Sequence, residues 1–70
     1  MAEDKIYRLL TLQQQLLSGN AIDKKAMANR FEVSEKSLQR DLETLRAYYA
    51  GQGNDLQYDR ESDRYRLEQP

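Results

Sequence analysis

Residues 23–45 read Asp23-Lys24-Lys25-Ala26-Met27-Ala28-Asn29-Arg30-Phe31-Glu32-Val33-Ser34-Glu35-Lys36-Ser37-Leu38-Gln39-Arg40-Asp41-Leu42-Glu43-Thr44-Leu45. Asp23 is an N-cap candidate, its carboxylate placed to accept from backbone N–H groups that a new helix leaves unpaired. A short helix from Lys24 to about Phe31 follows, with Met27, Ala28 and Phe31 facing inward. Glu32-Val33 is a tight turn, and Ser34 offers a second N-cap. The spacing then predicts a longer helix from Glu35 to Tyr49 or Ala50. At about 100° per residue, Leu42, Leu45 and Tyr49 fall within about 40° of Leu38 and form a buried seam. Lys36, Arg40, Glu43 and Ala47 lie opposite that seam, with Ser37, Gln39 and Thr44 on its flanks. Two helices joined by so few residues must meet at a sharp corner.

Working outward, the chain before this corner predicts a first helix from about Asp4 to Ser18. Ile6, Leu9, Leu10, Leu16 and Leu17 make one broad apolar stripe, with Gln13 at its margin. Asp4 sits near the positive end of the helix dipole, and Gly19-Asn20 supplies the stop. Ala21-Ile22 is long enough only for a stub of strand. Beyond the corner, Gly51 and Gly53 end the long helix and the period changes to two. Leu56 and Tyr58 alternate with Gln57 and Asp59, and Tyr65 and Leu67 alternate with Arg64 and Arg66. Arg60-Glu61-Ser62-Asp63 is a polar hairpin tip. Leu56, Tyr58, Tyr65 and Leu67 can then cover the helices while Arg64 and Arg66 point outward. The expected fold is mainly α with a small β-hairpin: three helices plus a two-stranded wing, filling residues 1–70 as one domain. Its core is expected to gather Leu38, Leu42, Leu45, Phe31, Val33, Ile6 and Leu10. The apolar residues of the first helix are read as core, although Leu12 and Leu16 sit toward one edge, where they could instead serve a partner.

Composition narrows the function. Seventy residues bury only a thin core, too small to enclose a large substrate pocket. There is no cysteine and no histidine, which removes thiolate chemistry, the commonest metal ligand and the side chain most used for proton transfer near neutral pH. An enzyme, a metal site and a bound cofactor are therefore not expected. No apolar run approaches the roughly 20 residues that span a bilayer. The acidic start Met1-Ala2-Glu3-Asp4 has no signal-peptide core behind it, so a cytoplasmic location is expected. The net charge of −1 counts against nucleic-acid binding unless the basic residues share one face.

Helix, stub, short helix, tight turn, longer helix and hairpin is the order of a winged helix-turn-helix. The major groove of DNA admits one α-helix, whose first turns bring side chains to base edges. The exposed positions early in the third helix are Lys36, Ser37, Gln39 and Arg40. Arginine or lysine suits guanine, glutamine suits adenine, and serine suits either base or phosphate. Ser34 and the free N–H groups behind it can receive a phosphate, although Ser34 also serves simply as a cap. Arg60, Arg64 and Arg66 can touch DNA backbone or minor groove, or can be solvated among Asp59, Glu61 and Asp63. Asp41 points sideways and is expected to pair with Arg30 or Arg46.

The run Ala26–Leu45 resembles the DeoR-type helix-turn-helix, and most of all the version at the N-terminus of WYL-domain transcriptional regulators. In that pattern "LA-x-x-F-x-V-S" leads into "R-T-[IV]-x-R-D-L-x-x-L". Ile6-Tyr7-Arg8-Leu9-Leu10 and Arg64-Tyr65-Arg66-Leu67 extend the resemblance over nearly the whole chain. Three positions depart from it: Ser37 stands where threonine is usual, Lys36 where arginine is usual and Met27 where leucine is usual. The resemblance implies a bacterial transcription factor whose third helix, about 35–49, enters the major groove of double-stranded DNA with the 56–67 hairpin as wing. It makes Ser34, Lys36, Ser37, Gln39 and Arg40 the DNA-facing positions. It also implies that a chain ending at Glu68-Gln69-Pro70 is an excised N-terminal domain, with a homodimer held through regions outside it. The rival is a winged helix used for protein contacts, supported by the acidic balance and by Glu35, Asp41 and Glu43.

Overall fold

A computed structural model describes residues 4–68. The acidic start at Met1–Glu3 and the expected cut at Gln69–Pro70 lie outside them. The elements run α1 (Lys5–Leu17), β1 (Ile22–Asp23), α2 (Lys24–Phe31), α3 (Glu35–Ala50), β2 (Asp55–Asp59) and β3 (Arg64–Glu68). The fold is mainly helical, with three helices and a small antiparallel sheet, a layout consistent with a winged helix.

Each helix starts where its capping chemistry lies. Asp4 accepts from the Ile6 N–H at 2.8 Å, Asp23 from the Ala26 N–H at 3.2 Å and Ser34 from the Ser37 N–H at 3.0 Å. All three caps hold extended backbone while satisfying donors that the first turn leaves unpaired. The corner between α2 and α3 turns on Glu32, whose left-handed backbone (φ 58°, ψ 43°) lets the Val33 N–H reach the Ala28 carbonyl at 3.0 Å.

The sheet has three strands in the order β1-β3-β2, where a two-stranded wing was expected. The stub at Ile22 does not stop short of pairing. Ile22 lies opposite Tyr65 and Asp23 opposite Arg64, so β1 takes the edge of β3 that a hairpin alone would leave open. On the other edge Leu56 faces Leu67 and Tyr58 faces Tyr65. Leu56 and Tyr65 are buried and Leu67 is half-buried. Tyr58 is 43% exposed and leans on Tyr65, with ring centres 5.0 Å apart and planes tilted by 46°, instead of covering the helices.

One core joins every element. It contains Leu38, Leu42, Leu45 and Tyr49 from α3, Met27, Ala28 and Phe31 from α2, Ile22, Leu56 and Tyr65 from the strands, and Leu12 and Leu16 from α1. Val33 packs against it. Ile6 and Leu10 do not join it: they are 67% and 61% exposed, whereas Leu12 and Leu16 are sealed inside and not placed for a partner. The reason is angular. With Leu12 as the centre, Leu16 and Leu9 lie about 40–60° away, while Ile6, Leu10 and Leu17 lie about 120–160° away. The broad stripe is two faces of one helix, and only one of them can meet α3.

Candidate nucleic-acid interface

The face of α1 that meets α3 is fixed by an ion pair. Arg8 Nε donates to Asp41 Oδ2 at 2.7 Å, and Arg8 Nη2 reaches Oδ1 at 3.5 Å. Asp41 is buried and Arg8 nearly so. Neither expected partner of Asp41 is used. Arg46 pairs with Glu43 at 3.2 Å, and Arg30 lies over the Phe31 ring. The Arg8–Asp41 pair therefore presents the opposite side of α3 to solvent.

On that outer side the candidate residues divide into two groups. Lys36 and Arg40 are exposed, one turn apart, and form no ion pair among the described residues. Their side chains are separated by about 40° around the helix and can enter one groove together. Ser34, Ser37 and Gln39 are held by the protein itself. Ser34 caps α3 and its hydroxyl donates to Ser37 Oγ at 3.1 Å. Gln39 Oε1 accepts from Lys24 Nζ at 3.1 Å and from the Tyr65 hydroxyl at 3.0 Å, while Gln39 Nε2 donates to Glu43 Oε1 at 3.4 Å. Gln39 is thus a junction where α2, α3 and β3 meet. Sequence reasoning missed Lys24 and the Tyr65 hydroxyl as its partners. They lie 15 and 26 positions from Gln39, and no local pattern links them.

The hairpin side chains are equally unequal. Arg64 lies 4.0 Å from Asp23 across the β1–β3 pairing, so its charge is partly answered. Arg66 faces Gln57 across β2 and lines an open groove of about 310 Å³ with Gln57, Tyr58, Asp59 and Glu68. The acids at the tip are largely consumed by the turn. Asp59 accepts from the Ser62 hydroxyl at 2.9 Å and the Glu61 N–H at 3.1 Å, and those bonds, the hydroxyl's first, hold its carboxyl below the usual range. Asp63 accepts from the Tyr58 hydroxyl, which raises the Tyr58 phenol.

Cations on this molecule thus fall into pairs and singles. Arg8, Arg46 and Arg64 each have a carboxylate within 4.0 Å, and Lys24 is hydrogen-bonded to Gln39. Lys25, Lys36, Arg40, Arg60 and Arg66 have none within that distance among the described residues. Among the described residues no cluster of three or more carboxylates could hold a metal ion, and no helix is long and apolar enough to cross a membrane. No known protein family, curated protein or solved structure matches the chain.

Proposed function

We propose that this chain is a winged helix-turn-helix module that reads double-stranded DNA, as the DNA-binding domain of a cytoplasmic bacterial transcriptional regulator. The observation that carries the reading is the exposed start of α3, where Lys36 and Arg40 stand one turn apart without carboxylate partners. A helix entering the major groove uses its first turns, and an arginine there can take guanine O6 and N7 together. Of the acidic residues Asp41 is buried against Arg8, and Asp59 and Asp63 are engaged by hydrogen bonds in the hairpin tip, away from the start of α3. What bears on DNA is the local charge at the start of α3, not the net charge of the chain. In this reading Arg64 and Arg66 meet phosphate from the wing, Ser34 and Ser37 meet backbone, and a second copy is held through regions outside these residues. The chain acts by binding, without catalysis or cofactor.

The experiment is a selection from random duplexes followed by titration of variants against selected and scrambled sequences at several salt concentrations. Arg40→Ala is expected to cost about 1–3 kcal/mol and to relax preference at one base position. Arg66→Ala is expected to weaken all sequences alike and to lower the salt slope by about one. Unchanged affinity in the double variant Lys36→Ala/Arg40→Ala removes α3 from the groove. A protein-contact module is then the better reading.

A further inference from the structure

The two ends of the Gln39 amide have different surroundings. Oε1 is turned inward, accepting from Lys24 Nζ at 3.1 Å and from the Tyr65 hydroxyl at 3.0 Å. Nε2 is turned outward, and its bond to Glu43 Oε1 is long, 3.4 Å. Glu43 is half exposed and is already paired with Arg46. An ammonium group donates and never accepts, so the amide atom facing Lys24 has to be the oxygen. The reverse orientation would set the amide's own N–H groups against that charge. A carbonyl oxygen has two lone pairs, and here both are taken.

Glutamine in general suits adenine because it uses both amide atoms, the oxygen accepting from N6 while the nitrogen donates to N7. In this chain the oxygen is occupied, and only the donor half remains. A donor fits guanine, whose O6 and N7 both accept, or the O4 of thymine, and it finds no acceptor on cytosine. We propose that Gln39 is a donor-only specificity residue, which selects a base presenting acceptors in the major groove, guanine or thymine, over adenine. The inference rests on the reading of α3 as the helix that enters that groove. Position agrees with it: Gln39 lies about 60° from Lys36 around α3, on the flank next to the exposed face. Turning the amide over for adenine would take a partner from Lys24 and from Tyr65 together, so the second shape of the residue is disfavoured by two other elements of the fold.

The test is selection from random duplexes by the wild type and by two variants, with circular dichroism melts to confirm that each is folded. One base position in the wild-type site is expected to prefer guanine or thymine over adenine by roughly tenfold. Gln39→Met keeps most of the shape, loses the amide and should abolish that preference while leaving the one set by Arg40. Lys24→Met/Tyr65→Phe frees Oε1 and should move the preference at the same position to adenine; Lys24→Met alone replaces it where the pair does not fold. A purely structural Gln39 would change affinity or stability without moving any base preference. Adenine at that position in the wild type, a preference that survives Gln39→Met, or one that the freed amide leaves unchanged overturns the proposal and leaves the DNA reading standing. Selection of no sequence by the wild type overturns the DNA reading, and this inference with it. The lock itself is checked without DNA: nuclear Overhauser contacts in the free chain should place the Gln39 Nε2 protons nearer the Glu43 side chain than the Tyr65 ring, and the opposite placement overturns the proposal alone.

Discussion

Arg8 of α1 grips Asp41 of α3 across a sequence separation of 33, with Nε 2.7 Å from Oδ2, and both charges are taken almost wholly out of water. The carboxylate sits on the flank of the same helix whose outer side carries Lys36 and Arg40. Rotating α3 about its axis would break the pair before it disturbed any exposed residue. The ion pair thus fixes which side chains the helix shows to solvent.

Asp41→Ala should destabilise the domain by about 3 kcal/mol, the lower end of the cost of stranding a buried charge, because Arg8 keeps a little access to water. A chain of this size has only roughly 4–10 kcal/mol in hand, so a urea titration should show a large fall in midpoint. The joint replacement Arg8→Met/Asp41→Leu should recover most of the loss, since an apolar pair of similar volume needs no solvation.

Neighbouring leucines of α1 should behave oppositely. Leu12→Ala opens a cavity under α3 and should cost about 2–5 kcal/mol, as should Leu42→Ala. Leu10→Ala touches only the exposed face and should stay within about 0.5 kcal/mol in dilute solution. Paired thermal melts distinguish them, and equal losses at Leu10 and Leu12 would contradict the orientation of α1.

Tyr49 buries its hydroxyl without a hydrogen-bond partner among the described residues. Tyr49→Phe should therefore be neutral or stabilising by about 1 kcal/mol, because it removes a desolvated group and keeps the ring. Burial raises the Tyr49 phenol above its ordinary 10.0, with Tyr48 adding to the effect. The unfolded chain consequently loses that proton first, and stability should fall as pH rises above 10. The phenylalanine variant should lose part of that alkaline sensitivity.

Gln39 is tied to Lys24, Tyr65 and Glu43, so Gln39→Ala should cost about 1–2 kcal/mol of stability without any DNA present. A glutamine simply waiting for a base would cost almost nothing. Chemical denaturation of this variant beside Arg40→Ala, which should be near neutral to the fold, separates the two roles.

The hairpin tip should be sensitive to acid. The Asp59 carboxyl is held below 3.8 by its bonds from Ser62 and Glu61. Its contribution is present above about pH 4 and is lost as pH falls through the lower folded value. Amide exchange at Glu61 and Ser62 should accelerate there, and Asp59→Asn should blunt the change.

The helices, the corner and the alternation of the hairpin were legible because each depends on neighbours in sequence: Asp23 and Ser34 as caps, Leu38, Leu42, Leu45 and Tyr49 as one seam, Leu56 and Tyr65 inward on their strands. The first helix was harder, since its apolar residues cover two faces and periodicity does not say which one is buried. Arg8 decides that, and its partner lies in another helix. The same holds for the candidate interface. Lys36 and Arg40 follow from helical geometry, but the engagement of Gln39 by Lys24 and Tyr65 requires three elements already assembled. Pairing of Ile22 with Tyr65 is likewise invisible to any local window.

That pairing of β1 with β3 shapes how the domain comes into being. Ile22 and Tyr65 are roughly forty residues apart, so the sheet closes by one of the longest loops the chain can make, and long loops close late. The helices can form and collapse early on local contacts, whereas β1 waits until the last strand has left the ribosome. Folding should then show two unequal dependences: perturbing α2 or α3 slows the climb to the transition state, while perturbing Ile22 mainly hastens the descent back to the unfolded chain. Because β3 is the central strand, a nascent chain that has not yet made it has no sheet at all: it is a cluster of helices, not a smaller version of the finished fold.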